Sequence, residues 1–293
     1  MQTDTLHRFL IESANVRGEW IHLDDTWQHM LDCADYPASI KKVLGEALAA
    51  TLLLSASLKY KGTLSLQING TGAANLLLIQ ATSTGTVRGL ARWKEEPKGD
   101  QLSDIFKTGN LAITIEPSDG SKRYQGIVEL QAESLEATLT EYFQQSEQLS
   151  TRLWLACNDE SASGMLLQCL PEENDDDNEG WQRTVLLADT IKPEELLDLD
   201  VEDILHRLFH EEDVRLYAGD PLSFQCSCSQ EKVEAMVVSL GQDEADALLQ
   251  KQGEIAISCE FCNRHYQLDP IDVQQLFSED LSADLSDNKK MVH

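Results

Sequence analysis

Two close cysteine pairs, Cys226-Ser227-Cys228 and Cys259-Glu260-Phe261-Cys262, stand thirty residues apart near the carboxyl end of the chain. Each pair can hold one face of a metal ion, and two pairs together complete the tetrahedral sulfur set that zinc prefers. Fewer than eighty residues follow Pro221, and a unit of that size rarely keeps a core without a staple. The spacing therefore predicts a small unit that binds one zinc ion through Cys226, Cys228, Cys259 and Cys262.

Other interpretations of the cysteines remain open at this point. Two local disulfides would close very short loops, which adds little stability and gives bonds that are easily strained and reduced. His265 follows the second pair closely and is a possible substitute ligand. The other cysteines, Cys33, Cys157 and Cys169, stand among apolar neighbours and are expected to pack as small hydrophobic side chains.

The composition excludes several classes of protein. With 293 residues, 42% of them hydrophobic, the chain can bury a substantial core. Its 23 basic and 51 acidic residues give a formal net charge of −28, which would repel phosphate backbones and argues against nucleic-acid binding. The amino terminus shows no secretory signal and no apolar stretch is long enough to span a membrane. We therefore expect the protein to lie in the cytoplasm, a reducing compartment in which free cysteines persist. We expect no nucleic-acid or membrane partner.

The first part of the chain, residues 1–171, reads as an α+β domain, because runs of strands are broken by isolated helices. The segment Asn69-Gly70-Thr71-Gly72 lacks the lysine of a nucleotide-binding loop and is expected to be a turn, so no ATP site is predicted. The pattern predicts helices over 37–58 and over 135–148, the second capped by Ser134, and strands over 63–68, 75–81, 86–93, 111–116, 123–130, 152–157 and 165–170.

The character of the chain changes at Pro171. Residues 172–220 form a predicted acidic helical linker that starts with a solvated loop over 172–179. Pro193 begins one helical pattern and Asp200 caps the next. The second pattern carries an apolar stripe: Val201, Ile204, Leu205, Leu208 and Phe209. This stripe either simply packs, or docks on the first domain in a way that can be released; the two views are compatible.

The last part is divided into a zinc-binding redox-switch domain over 221–286 and a disordered tail over 287–293. Helices are predicted over 231–240 and 243–251, with Gly253 turning the chain back towards the second cysteine pair. Zinc itself has no redox chemistry, but its thiolates are the form that oxidants attack. Structural zinc contributes roughly 10–16 kcal/mol to folding in small peptides, whereas a disulfide returns about 2–4 kcal/mol. Oxidation should therefore release the metal and loosen the unit.

The chain resembles the 33 kDa chaperonin family, the bacterial redox-regulated heat-shock holdases, essentially from end to end. Seven segments carry the resemblance: Val16-Arg17-Gly18-Glu19, Arg123-Tyr124-Gln125-Gly126, Tyr142-Phe143 with Ser146-Glu147-Gln148-Leu149, Gly164-Met165-Leu166-Leu167-Gln168, Cys226-Ser227-Cys228-Ser229, Gly253-Glu254-Ile255, and Cys259-Glu260-Phe261-Cys262 with Tyr266. This chain departs from the family at two positions: Ser150 stands where the family usually has proline, and Ser163 stands where it often has glycine. The strongly acidic loop over 172–179 is expected to affect when the linker is released, and not whether it is released.

The resemblance implies an ATP-independent chaperone rather than an enzyme. It implies a reduced, zinc-bound, inactive form and an oxidised form with Cys226–Cys228 and Cys259–Cys262 disulfides, without zinc and with an unfolded linker. It also implies that the oxidised form captures unfolding client proteins as a homodimer and that the reduced form is a monomer. The alternative is a thiol–disulfide oxidoreductase using Cys259 and Cys262, although the βαβ context of such a motif is missing.

Overall fold

The structure is a computed structural model, and it describes residues 4–130, 133–146, 149–171 and 178–278. The backbone groups into two compact units, of which the first ends at Gln225 and the second begins at Cys226. None of the helices in these ranges combines the length and apolarity needed to cross a membrane.

The first unit is an α+β domain, as the sequence predicts. Its elements, in chain order, are β1 (Thr5–Ile11), a one-turn 3-10 helix (Glu12–Ala14), β2 (Val16–Leu23), α1 (Asp25–Leu31), α2 (Ala38–Ser57), β3 (Gly62–Gly70), β4 (Ala74–Thr82), β5 (Thr86–Trp93), α3 (Leu102–Phe106), β6 (Gly109–Pro117), β7 (Tyr124–Glu129), α4 (Leu135–Ser146), β8 (Thr151–Cys157), β9 (Ala162–Cys169), α5 (Asn178–Ala188), α6 (Pro193–Asp198), α7 (Val201–Phe209), β10 (Val214–Leu216), β11 (Asp220–Pro221) and β12 (Ser223–Phe224).

Two sheets enclose the central helix of this unit. The first sheet has the order β10-β1-β2-β9-β8, with β11 also paired to β1, and the second has the order β12-β5-β4-β3-β6-β7. Helix α2 contacts strands of both sheets. Its side chains are apolar almost all round and include Ile40, Leu44, Leu48 and Leu52, as expected of a helix that is buried on every side.

Strands β1 and β2 lie inside the first sheet, where the sequence analysis assigned no element. Both faces of β2 are buried, so its apolar side chains do not alternate with exposed polar ones. Ile21 and Leu23 face the core around α2, whereas Val16 and Trp20 face a second core on the opposite side of the sheet. Double burial therefore removed the period-two signal that marks a half-buried strand.

Most predicted elements are present with small shifts at their ends. Ser134 caps α4 by accepting a hydrogen bond from the Ala137 amide at 3.2 Å, and Asp200 caps α7 through the Asp203 amide at 3.0 Å. Of the segment Asn69–Gly72, which was predicted to be a turn, Asn69 and Gly70 end β3, and Thr71 and Gly72 lie in the turn to β4. The proposed loop over 172–179 falls largely outside the described residues, as does the predicted tail, and α5 already begins at Asn178.

The second unit begins five residues later than the predicted start at 221. Strand β11 pairs with β1, and β12 pairs with β5, so backbone hydrogen bonds tie residues 220–224 to the first unit. From Cys226 onward the chain forms α8 (Gln230–Leu240), α9 (Gln242–Gln252) and the hairpin of β13 (Ile255–Ser258) and β14 (His265–Leu268), followed by helical residues 270–278. Gly253, at φ 85°, ends α9.

Candidate metal centre and linker interface

The two cysteine pairs meet at one point of the second unit. The Cys226 and Cys259 sulfurs are 3.6 Å apart, and the Cys228 and Cys262 sulfurs are 3.3 Å apart. All four sulfurs lie within 4.8 Å of one another. A tetrahedral zinc ion with bonds of about 2.3 Å separates its sulfur ligands by about 3.8 Å. The spacing of the donors therefore fits a single tetrahedral metal ion.

Local backbone geometry places each pair. Cys259 follows strand β13, and its carbonyl accepts the Asn263 amide at 2.8 Å while its own amide donates to the Arg264 carbonyl at 2.9 Å. Asn263 takes a left-handed conformation, with φ 53°, a region that asparagine tolerates. Across the cluster, Ser229 caps α8 directly after Cys228. A hairpin turn and a helix start therefore present the two pairs to each other.

The protonation of the four thiols shows why the cluster suits a cation. Burial raises the pKa of Cys228, but its interactions with Tyr266 and with the other three sulfurs outweigh burial and lower that pKa to about 7. Burial raises the pKa of Cys262, as it does that of Cys226. Four thiolates so close together repel one another unless a positive charge lies between them. A divalent ion would therefore make the donor set electrostatically favourable.

His265 does not join the group of four sulfurs. Its Nδ1 lies 2.7 Å from the Ser258 hydroxyl on the neighbouring strand. Within the described ranges, the four cysteines form the cluster of potential metal-binding side chains. Of the remaining cysteines, Cys33 is buried and Cys157 and Cys169 are half-buried in the first unit.

A second functional feature is the contact between the linker helices and the first sheet. Helices α6 and α7 bury apolar side chains against one face of that sheet, and Ala188 of α5 belongs to the same cluster. The linker contributes Ala188, Leu196, Leu197, Val201, Ile204, Leu205, Leu208 and Phe209, and the strands contribute Phe9, Ile11, Val16, Trp20, Ala156, Met165 and Leu167. The stripe predicted on α7 is buried here in full.

The sequence predicts the linker side of this interface but not the strand side. On β1, Phe9 and Ile11 stand two residues apart, and the same spacing relates Met165 and Leu167 on β9. Side chains at this spacing share one face of a strand. That signal was present in the sequence, but it does not say which of the two sheet faces the linker covers.

An ion pair and a hydrogen bond at Glu212 connect parts of the linker. The Arg183 Nε of α5 lies 2.7 Å from an oxygen of Glu212, which follows α7. Glu212 also accepts a hydrogen bond from Ser13. Hydrogen bonds from Arg183 and Ser13 hold the pKa of Glu212 below its usual value. Glu212 therefore joins two parts of the linker to the turn between β1 and β2.

Comparisons with known proteins agree along the whole chain. A family model described as Hsp33 protein matches residues 4–269. A 33 kDa chaperonin of Nitrosococcus oceani is 45% identical over 286 residues, covering 98% of each chain. One of Methylobacillus flagellatus is 44% identical over 281 residues, covering 95% of this chain and 96% of the relative.

A solved structure shows the same fold. The crystal structure of a 33 kDa chaperonin from Thermotoga maritima matches with a TM-score of 0.82 at 20% sequence identity, covering 96% of this chain and all of that one. The fold is thus shared with a known member, and by the extent of the family-model and relative matches the chain belongs to the Hsp33 family.

Proposed function

We propose that this protein is a redox-regulated, ATP-independent chaperone that binds unfolding proteins after oxidation. The observation that carries the proposal is the apolar contact between the linker helices and the first sheet. Five side chains of the nine-residue helix α7 are buried in that contact. If the linker unfolds, the strand side chains and the linker side chains both become accessible to a client.

The switch begins at the cysteine cluster. Cys226, Cys228, Cys259 and Cys262 would hold one zinc ion, which supplies the positive charge that keeps four thiolates together. Oxidation joins two thiols of a pair in a disulfide, and an oxidant such as peroxide takes up the two electrons. A disulfide sulfur is a poor ligand, so the pairs Cys226–Cys228 and Cys259–Cys262 would expel the metal.

Loss of the metal removes more stability from the second unit than the disulfides restore. Its core is small, with Val233, Val237, Ile255, Leu268 and Val273 among its buried side chains. A zinc site contributes roughly 10–16 kcal/mol in small peptides, and a disulfide about 2–4 kcal/mol. The second unit should therefore unfold, and the linker over 172–220 should then detach from the sheet.

The reduced form is proposed to be a monomer and the oxidised, client-binding form a homodimer, in the cytoplasm, without nucleic-acid or membrane partners. The protein would bind clients stoichiometrically and would not act as an enzyme.

The test follows zinc and client protection in one sample. The reduced, zinc-loaded protein is treated with peroxide at heat-shock temperature, while a zinc indicator and the light scattering of an unfolding client are recorded together. We expect about one zinc per chain to leave before aggregation is suppressed. If zinc stays bound, or leaves without any gain in client protection, the redox switch is wrong. Turnover of small disulfide substrates would instead favour the oxidoreductase.

A further inference from the structure

A carboxyl group is buried inside the first sheet without a complete set of hydrogen-bond partners. Glu19, on β2, is only 3% exposed, and its Oε2 has no hydrogen-bond partner. Leu166 lies directly opposite it on β9 and offers no charge. A buried carboxylate normally needs a partner to offset its lost hydration. Glu19 is therefore a side chain whose protonation state should matter to its surroundings.

The other neighbour of Glu19 across the strands is an arginine that is already engaged elsewhere. Arg8 lies directly opposite Glu19 in the β1–β2 register. Its guanidinium forms an ion pair with Asp220. Both Arg8 and Glu19 line a cavity of about 200 Å³, together with Arg17 and Tyr217. Arg8 thus lies between two carboxyl groups: that of Glu19, which is buried on β2, and that of Asp220 on β11.

That other segment, residues 214–222, is here called the strap. It follows the linker helices and pairs with β1 through β10 and β11. The Tyr217 amide donates to the Arg8 carbonyl at 2.9 Å, and the Leu222 amide donates to the Asp4 carbonyl at 2.7 Å. The strap therefore connects the linker helices to the residues that precede Cys226, and its backbone is held by hydrogen bonds to β1 and to the residue before it.

The remaining groups around Glu19 do not neutralise it fully. Arg17, on the same strand, donates to the Ser57 carbonyl at 2.9 Å and to the side chain of Gln168. Ser57 of α2 and Gln168 of β9 are uncharged. On the strap side, His7 places its Nδ1 3.3 Å from the Tyr217 carbonyl. An imidazole can also take up a proton, so the test must separate His7 from Glu19.

We propose that Glu19 and Asp220 share Arg8, so that loss of the Glu19 proton and release of the strap from β1 favour each other. Burial raises the pKa of Glu19 to about 7, against the opposing effect of Arg17 and Arg8. After the strap leaves, Arg8 loses Asp220 and can turn towards Glu19, which lowers that pKa. Released chains then bind fewer protons near neutrality, and a rising pH favours release.

The effect is limited in size and reversible. One unit of difference in the Glu19 pKa between the two states corresponds to about a tenfold change in the opening equilibrium. Arg8 and Asp220 are both well exposed, so solvent screens their pair, and a three- to tenfold change between pH 6 and pH 8 is the expected range. This pH response does not depend on client binding or on oxidation of the cysteines.

The experiment measures hydrogen exchange in the reduced, zinc-loaded full chain at pH 6 and pH 8. Rates at the Tyr217 and Leu222 amides are divided by the intrinsic exchange rates at each pH. In the unsubstituted protein we expect opening to rise three- to tenfold at the higher pH. Glu19→Gln and Arg8→Gln should both abolish that rise. Glu46→Gln is a matched control, because Glu46 lies on α2 and burial raises its pKa to about 7 as well; this substitution should leave the rise intact.

Two results would overturn the proposal: a flat profile in the unsubstituted protein, or a pH response that persists in Glu19→Gln, which would point to His7. If Glu19→Gln does not fold, the Glu19 carboxyl is titrated by carbon NMR in the unsubstituted protein and in Asp220→Asn. The midpoint should move to lower pH in Asp220→Asn, because Arg8 is then left to Glu19. An unchanged midpoint contradicts the sharing of Arg8.

Discussion

Phe9 of the first sheet and Phe209 of the linker pack ring against ring, with their centroids 6.5 Å apart and both side chains 1% exposed. Phe9 belongs to β1, and Phe209 is the last residue of α7, two hundred positions later. The pair lies in the apolar cluster that joins the linker to the sheet. Contact between these two rings therefore reports whether the linker is docked on the sheet.

Replacing Phe209 by alanine should loosen the linker while the cysteines stay reduced. Truncation of a buried phenylalanine costs about 3–5 kcal/mol. We expect Phe209→Ala to suppress client aggregation in light scattering without oxidant, with zinc still bound. The control is Leu186→Ala, because Leu186 of α5 is 69% exposed and contributes little to packing. A Phe209→Ala protein that needs oxidant as much as the parent would contradict the docking model.

Loss of one ligand should remove the metal and the structure of the second unit together. Cys262→Ser should bind less than one tenth of a zinc per chain, since serine is a poor zinc ligand. The helices α8 and α9 should then lose their amide protection in hydrogen exchange, because their small core depends on the metal. Cys33→Ser, in the first unit, serves as the control and should keep full zinc. Intact α8 protection without zinc would show that the metal is not the staple.

Oxidation should join cysteines within each pair, although the shortest recorded sulfur distances run between the pairs. Residues one or two positions apart can approach after zinc leaves, whereas contacts across the cluster, such as Cys228 to Cys262, depend on the folded hairpin. Peptide mapping of the oxidised chain by mass spectrometry should therefore find Cys226–Cys228 and Cys259–Cys262. A dominant Cys228–Cys262 bridge would mean that oxidation occurs in the folded cluster and keeps its shape.

The half-buried Glu46 should make the first unit less stable at neutral pH than in mild acid. Burial raises the pKa of Glu46 from 4.5 to about 7, with Lys42 opposing and Glu136 adding to the rise. Between these values the unfolded chain has lost the proton that the folded chain keeps, so stability falls as the pH rises from about 4.5 to about 7. At about 1.4 kcal/mol per pKa unit, the loss is at most about 3.5 kcal/mol.

Glu46→Gln should remove this part of the pH dependence. Urea unfolding of the first unit, followed by tryptophan fluorescence at pH 5 and pH 8, gives the difference in the free energy of unfolding. The exposed Glu133→Gln substitution is the control and should behave like the parent. An equal pH dependence in Glu46→Gln and in the parent would show that other groups are responsible.

The sequence by itself determined the elements whose causes are local. The cap residues Ser134 and Asp200, the apolar face of α7 and the turn at Gly253 were all predictable, because each depends on residues a few positions apart. The cysteine spacing likewise indicated which side chains could meet at one metal ion, since two short pairs need only one return of the chain.

Only the tertiary structure decided which distant surfaces meet. Strand β2 carries no clean period of two, because both of its faces are buried, and its linker-facing side chain Trp20 was therefore missed. Phe9 and Ile11 of β1 keep the period of two, but that period does not say which face of the sheet the linker covers. The second unit begins at Cys226 rather than at 221 because β11 and β12 find hydrogen-bond partners on β1 and β5. Strand pairing of this kind depends on contacts hundreds of residues apart, which no local pattern records.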